Sequence, residues 1–560
     1  MKRGILTILL AITLLTCTSC AIADAPQTEP ESVGAQTLSI EALDADAGLD
    51  SSTLNLQFID GVADLPYVSI EDWATLMNQA HQTTNPKYNI SVTRDGDKMT
   101  LKRENGSSLT FNAATNTLVA RNYARFLGAI VPGSVTDSTV TPYLKVAPGS
   151  YTRTGNDARF NLSSYGIDIV RQQSVFLVPL QTANDLFPVL PGTHLLYNGE
   201  TLLAGNDDVA LAQAASTAPA GSRSKKLGSY TYNELCLMLD SFYGPKQQHE
   251  IASFAKAFTG LSYHKILAGT NPQKADNALA KSIAYLLDDG CSTPLCPSYL
   301  CGSDYEFPVD ATTASRSRAS REQTRTAYLN ARTASYPSGA PSYEEVGNTA
   351  FVTLDELSVP TKDLHTVSDA DLATLGDSFS AVAYAHKRIT REGSPIRNVV
   401  IDLSLCDQGT TGAVAYLTAW LLGESNIALT NTLTNGLQVL SYYADVNLDN
   451  KFDGSDTLDG LNVYCLVSPA TFQCGNLLAQ ALRASHRVTL VGTCTGGGSF
   501  QTTTALTASG SAFAFANNMQ LNYVENGSIF DVEHSVDAAI QVASPRSLYD
   551  RAALVALIER

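Results

Sequence analysis

Four short apolar runs, Ala350 to Leu354, Val399 to Leu403, Val463 to Val467 and Val488 to Val491, alternate with three stretches of helical spacing, Ala370 to Ile389, Ala413 to Leu422 and Gly475 to Ser485. Uninterrupted apolar runs suit strands buried on both faces, and helices between them let successive strands lie parallel. Residues 347–560 are therefore expected to form an α/β core. Ligands on such cores sit where strand ends pass into helix starts. A chain of 560 residues exceeds one such unit, so further domains are expected upstream.

The upstream half divides by composition. Met1-Lys2-Arg3 followed by the apolar run Ile5 to Leu15 has the form of a secretory signal over residues 1–23 and is too short to span a bilayer permanently. Two processing routes fit: lipidation at Cys20 after Cys17 and Ser19, or cleavage after Ala23 in Ala21-Ile22-Ala23. Residues 24–50 have little periodicity and are expected to be a solvated tether. From 51 to 208 strand signals dominate, with Asn89 to Arg94, Met99 to Arg103 and Ser108 to Asn112 joined by turns at Asp95-Gly96 and Asn105-Gly106. A weak repeat relates Tyr67-Val68-Ser69-Ile70 to Leu177-Val178-Pro179-Leu180, each followed by a helical stretch. It resembles the small β-rich repeats named after the copper amine oxidase N-terminal domain, which implies a scaffold or wall-binding role and no copper. An Ala/Ser/Gly-rich linker is expected at 209–229, a helical region at 230–311 and a second linker at 312–346.

Charge and cysteine content narrow the partners. Lys plus Arg number 37 and Asp plus Glu 54, a net charge of −17 that argues against nucleic acid. Beyond Cys17 and Cys20, eight cysteines remain, an even count that permits disulfides outside the cytoplasm without fixing their pairing. The series Cys291, Cys296 and Cys301 has no neighbouring histidine and favours buried thiols or one disulfide over zinc.

Five segments carry a family resemblance: Leu287-Asp288-Asp289-Gly290-Cys291-Ser292, Gly347-Asn348-Thr349-Ala350-Phe351, Asn398 to Ser404, Ala470-Thr471-Phe472-Gln473-Cys474-Gly475-Asn476 and Val491 to Gly498. In order and separation they resemble the tail-specific, or C-terminal-processing, proteases and their tricorn relatives, from about Tyr230 to the end. The resemblance implies a crotonase-like α/β fold and a peptide or unfolded protein segment as partner. It also implies a serine nucleophile where this chain has Gln473. A family histidine base would fall on Cys291, and a family lysine base on Gly498. A carboxamide cannot attack a carbonyl, so the leading expectation is a serine-peptidase-family protein that has lost catalysis and binds peptide or acts as a scaffold. The oxyanion-hole donors implied by the resemblance are the N–H groups of Gly409 and Cys474, which need only backbone geometry. The alternative is an active peptidase of extracytoplasmic proteins with Cys474 as a relocated nucleophile and His486 or His534 as base. The helical offset of Cys474 and the distance along the helix to His486 count against it.

One further motif stands apart. Asp445, Asn447, Asp449, Asp453 and Asp456, with the Lys451 carbonyl, occupy the ligand positions of an EF-hand-type calcium loop, with Asn450 where glycine is usual. Calcium there would stiffen an insertion beside the groove. His249, His264, His386 and Trp420 are expected to be packing or surface residues. The whole is expected to be secreted, or held on the outer face of a bacterial membrane by a lipid anchor, with contact to the cell wall or membrane surface.

Overall fold

The structure is a computed structural model that describes residues 33–44, 49, 52–82, 89–127, 142–216, 221–308 and 315–559. The signal segment, Cys17, Cys20 and the first part of the tether lie outside the described residues. No helix among those described is long and apolar enough to cross a membrane.

The α/β core is built on a six-stranded sheet in the order Tyr343–Val346, Thr349–Thr353, Asn398–Asp402, Asn462–Val467, Val488–Gly492 and Ile540–Gln541. All neighbours are parallel except the first pair. Alternate side chains serve two separate cores, as a period of two requires. Val399, Ile401, Val463 and Cys465 pack with the helices Ser378–Ile389, Thr411–Leu422 and Cys474–Ala484. Phe351, Val400, Leu466 and Val491 pack with the helices Arg316–Ser335 and Arg551–Ile558 on the other face. The expected run Ala370 to Ile389 is two helices, Asp369–Leu372 and Ser378–Ile389, parted near Gly376 at φ 84°.

A second sheet of eight strands covers one side of the core. Its main path is Thr293–Cys296, Ala512–Glu525, Ser425–Asn431, Gly436–Ala444 and Leu144–Val146, with Phe500–Leu506, Ser528–Asp531 and Tyr151–Arg153 attached. Two of these strands come from the upstream half. Val146 pairs with Tyr442 and Thr152 with Gln438, so the β-rich region ending at 208 is stitched into the core.

Upstream, the expected meander is present as Ile90–Asp95, Lys98–Arg103, Ser108–Asn112, Thr117–Arg121 and Ala158–Asn161 in one antiparallel sheet. The two halves of the weak repeat lie side by side, with Val68 opposite Val178 in a seven-stranded sheet. Three expected connectors are partly regular structure. Residues 33–42 of the tether form a strand on Thr53–Ile59. The first linker contains the helix Asp208–Ala215 and the start of Lys225–Phe242. The second contains the 20-residue helix Arg316–Ser335. Of these, Arg316–Ser335 buries only Tyr328 and Arg332, and polar caps fix two of the helix starts: Asp207 accepts from the Val209 N–H at 2.9 Å and Ser315 from the Arg318 N–H at 3.2 Å.

The helix Lys225–Phe242 joins the upstream sheet through buried polar groups. The Thr182 hydroxyl donates to Glu234 Oε2 at 2.8 Å and lies 2.8 Å from the Tyr230 hydroxyl. Burial pushes the Glu234 carboxyl from 4.5 up to about 7, and burial beside Glu234 also raises Asp185. The folded carboxyl keeps its proton to higher pH than the unfolded one, so its contribution is full below the unfolded value and fades as pH rises from 4.5 towards about 7. Glu234→Gln should therefore leave the melting temperature unchanged near pH 4 and raise stability by about 3 kcal/mol near pH 8. Equal effects at both pH values in thermal denaturation would refute this.

Candidate functional site

The centre lies at the strand-to-helix turn that follows Asn462–Val467. Three backbone segments meet there. The Phe472 N–H donates to the Cys406 carbonyl at 2.9 Å, the Gln473 N–H to Gly497 at 3.0 Å and the Gly496 N–H to Thr471 at 2.7 Å. Gly475 is required at the crossing, because a Cβ there would lie 2.3 Å from the Cys406 carbonyl oxygen. Gln473 itself sits at φ 47°, ψ −110° immediately before the helix. A left-handed backbone is costly for a residue with a Cβ, by roughly 1–3 kcal/mol, and persists where surrounding bonds over-determine it.

The structure brings Gln473, Cys291 and Gly498 together from distant parts of the chain. Gln473 Nε2 donates to Cys291 Sγ at 3.2 Å, to the Phe500 carbonyl at 3.2 Å and to Thr502 Oγ1 at 2.9 Å. The Phe500 carbonyl only accepts, which fixes the amide with its NH2 on this side. Gln473 Oε1 has no hydrogen-bond partner among the described residues. At Gly498 (φ 84°) a Cβ would meet the Phe472 ring at 2.8 Å and Gln473 Cγ at 3.3 Å, so a longer side chain there would collide with the present wall.

The two donors implied by the resemblance also meet. Leu357 donates to the Gln408 carbonyl at 3.1 Å and accepts from the Thr410 N–H at 2.8 Å, which leaves the Gly409 peptide groups to the opposite side. There Cys474 Sγ donates to the Gly409 carbonyl at 3.3 Å. Neither the Gly409 nor the Cys474 N–H takes an acceptor among the described residues, and the latter opens the helix Cys474–Ala484.

Burial dominates the electrostatics. It pushes the Cys291 thiol up to about 12, helped by the nearby Asp289, while the Thr502 hydroxyl and Arg321 oppose it. The Cys474 thiol is pushed up to about 12 by burial alone. Its hydrogen-bond partner is a carbonyl, so neither His486 nor His534 takes a proton from it here. Glu533 is raised above its ordinary value by burial, and its Oε2 accepts from the Ser499 N–H at 2.7 Å and hydroxyl at 2.8 Å.

Two residues of this wall escaped the sequence reading. Glu533 has no motif around it. Arg321 lies in the expected linker, yet its guanidinium stacks 3.9 Å above the Phe472 ring and donates to the Gly290 carbonyl at 2.8 Å. One turn on, Arg325 pairs with Asp407 at 3.2 Å. The spacing of Arg318, Arg321, Arg325 and Arg332 along one helical face was the available signal.

The acidic loop lies elsewhere in the core. Asp445 accepts from the Asp449 and Asn450 N–H groups at 3.1 and 2.9 Å, and Asp456 from Val446, Asn447 and Asp453 at 2.7, 3.0 and 3.0 Å. His365 Nε2 lies 3.0 Å from Asp445 Oδ2. Asn450 has the left-handed φ of 62° expected of its position. The oxygen-rich donors suit calcium chemically. In this arrangement they are directed to the loop's own amides, and no group of three or more His, Cys, Asp or Glu placed to hold a metal occurs among the described residues. That statement covers Cys291, Cys296 and Cys301 as well, and the eight described cysteines are free thiols. His386 is a packing residue, 2.9 Å from the Ser455 carbonyl and 3.2 Å from the Trp420 indole nitrogen.

The free Cys474 N–H, with the Gly409 carbonyl against its own thiol, thus lies at a strand-to-helix turn on a parallel α/β core. Residues 375–531 match the model of peptidase family S41, which bears out the likeness to the tail-specific proteases. Solved structures with distant likeness include the photosystem II D1 C-terminal processing protease, at 17% identity over 39% of this chain and 50% of that one, TM-score 0.27. Mature CPAF matches at 12% identity over 60% and 96%, TM-score 0.36. A lipoprotein from Streptococcus agalactiae matches at 13% over 61% and 98%, TM-score 0.34. This chain therefore covers half the length of the first of these and nearly all of the other two. No curated protein sequence matches it.

With thiol values near 12, Cys474 and Cys291 should react with iodoacetamide about a thousandfold more slowly than a free cysteine near pH 8. Mass spectrometry of native and unfolded protein checks this. Fast native labelling at Cys474 would reinstate it as a nucleophile.

Proposed function

We propose that this is an exported S41-family protein whose centre holds a peptide without cutting it. The observation that carries this reading is Gln473, a carboxamide held by Cys291, the Phe500 carbonyl and Thr502 at the strained turn, next in sequence to Cys474, whose N–H, like that of Gly409, takes no acceptor among the described residues. A peptide carbonyl would accept from those two N–H groups, and Gln473 Oε1 would accept from a peptide N–H. Binding needs no proton transfer, whereas acyl transfer needs an ionisable nucleophile and a base within reach. The wild-type protein should show no cleavage of unfolded proteins or peptide libraries above buffer. Turnover abolished by Gln473→Ala would overturn the reading. The double variant Gln473→Ser with Cys291→His should gain measurable hydrolysis, because the donors and the turn are unchanged.

Export is supported by the segment 1–23, with lipidation at Cys20 or cleavage after Ala23, and would put the chain outside the cytoplasm or on the outer membrane face. Mass spectrometry of the N terminus separates the two routes. The β-rich region from 51 to 208 would then lie against cell wall or membrane surface. Calcium at Asp445 to Asp456 belongs to the proposal as a stiffening ligand, supported by the donor set and the left-handed Asn450. Calcium at about millimolar concentration should raise the melting temperature, and Asp453→Ala should remove the effect. A melting temperature indifferent to calcium would remove the ion from the account.

A further inference from the structure

Cys291 and Gln473 come from distant segments of the chain, and they meet as a thiol against a primary amide. Gln473 Nε2 lies 3.2 Å from Cys291 Sγ. An amide C–N bond is about 1.33 Å long, so the carboxamide carbon Cδ lies within about 4.5 Å of the same sulfur. The Thr502 hydroxyl touches both partners. It accepts from Gln473 Nε2 at 2.9 Å and hydrogen-bonds to the Cys291 thiol. Cys291 and Gln473 are half-buried and Thr502 is exposed, so the pair is open to a small molecule from solvent.

The acidic surroundings make Cys291 a poor nucleophile towards anything in solution. Burial, helped by Asp289, holds its thiol up at about 12, which leaves about one thiolate in ten thousand near pH 8. Contact with the amide outweighs that loss, because a well-oriented pair reacts as if at about 10⁵–10⁸ M. Protonation also has a use. Nitrogen leaves an amide only after gaining a proton, and a neutral thiol beside a bridging hydroxyl carries one to it.

We propose that Cys291 and Gln473 form an internal thioester that captures a primary amine. Cys291 Sγ attacks Gln473 Cδ, the Sγ–Cδ bond forms and the Cδ–Nε2 bond breaks. Thr502 passes the thiol proton to Nε2, and the nitrogen leaves as ammonia. Neither oxidant nor reductant is consumed. A primary amine, having lost its extra proton to solvent, then attacks Cδ. Its C–N bond replaces the Cδ–Sγ bond, and one amine proton returns to Sγ. The products are an N-alkylated Gln473 and a free thiol, so the chain is joined covalently to the amine. Asp289 and Glu533 beside Cys291 favour the approach of an alkylammonium group, with Arg321 opposing them. A thioester keeps the carbonyl oxygen Oε1, so peptide holding at this centre neither requires the bond nor is excluded by it.

The test is mass spectrometry of the full chain, intact and after digestion. Part of the protein should be lighter by one ammonia, and digestion should yield the peptides of Cys291 and Gln473 joined to each other. Methylamine should convert that fraction to N-methylglutamine at position 473 and release the Cys291 thiol to iodoacetamide in unfolded protein. Cys291→Ala should abolish both changes, and Thr502→Val should slow thioester formation about a hundredfold, as the loss of a proton relay does. Acetyl-lysine amide and glucosamine, offered in place of methylamine, tell a protein lysine from an amino sugar as the source of the amine, and reaction with either supports the proposal. Full mass throughout, with Cys291 wholly alkylated after unfolding and Gln473 unmodified after methylamine, would overturn it. So would ammonia loss mapped to an Asn-Gly pair such as Asn435-Gly436 with Cys291 free, which marks a backbone succinimide. Either of these results leaves peptide binding untouched, so the two readings of the centre fail separately.

Discussion

The crossing of three backbone segments beneath Gln473 is the constraint on which the rest of the site depends. The segments around Cys406, Phe472 and Gly497 are bonded to one another through main-chain groups, and the approach is so close that Gly475 cannot carry a Cβ. Side chains at 473 and 291 contribute nothing to that crossing. The left-handed turn, the helix start and the two free donors are therefore set by the backbone, and they stand whichever side chain occupies the turn. A nucleophile and its base are by contrast properties of side chains alone. Scaffold and side-chain chemistry are separable here: the crossing lies within residues 375–531, which match the model of peptidase family S41, and it does not depend on which side chain stands at 473.

How much of this was legible in the sequence follows from which faces are buried. Asn398–Asp402 is buried at every residue, so its apolar run announces a central parallel strand. The meander from 90 to 112 was equally plain, because alternation and turn glycines agree. The helix Arg316–Ser335 was not, since only Tyr328 and Arg332 are buried along it and its contacts with the core run largely through arginine. The strand Val33–Ala42 was missed for a similar reason, its place being set by seven paired positions on Thr53–Ile59 rather than by apolar content. At the site, Gln473, Cys291, Gly409 and Gly498 were found through the resemblance. Glu533 and Arg321 were not, because nothing local marks them and only the fold brings them near.

Paired strands and buried polar bonds cross the boundary drawn at residue 208. Leu144–Val146 and Tyr151–Arg153 complete the edge of a core sheet, and buried polar bonds extend the join. Gln181 donates to the Leu506 carbonyl at 3.0 Å, and the Tyr299 hydroxyl donates to the Tyr197 carbonyl at 3.3 Å. Cutting the chain at 208 would leave strand edges and polar groups without partners, a cost that a flexible linker would not carry. The upstream region therefore shapes the surface around the core.

Electrostatics around Cys291 give the last constraint. Asp289 and Glu533 both act to keep its thiol protonated, with Arg321 opposing them from the Phe472 face. Negative neighbours make a thiolate costly, because charge of one sign accumulates in a buried place. The same neighbours would favour the protonated form of an imidazole, which is the form a histidine base reaches when it takes a proton. The charge distribution is thus unsuited to the residue now at 291 attacking a substrate from solution and suited to a base that gains charge.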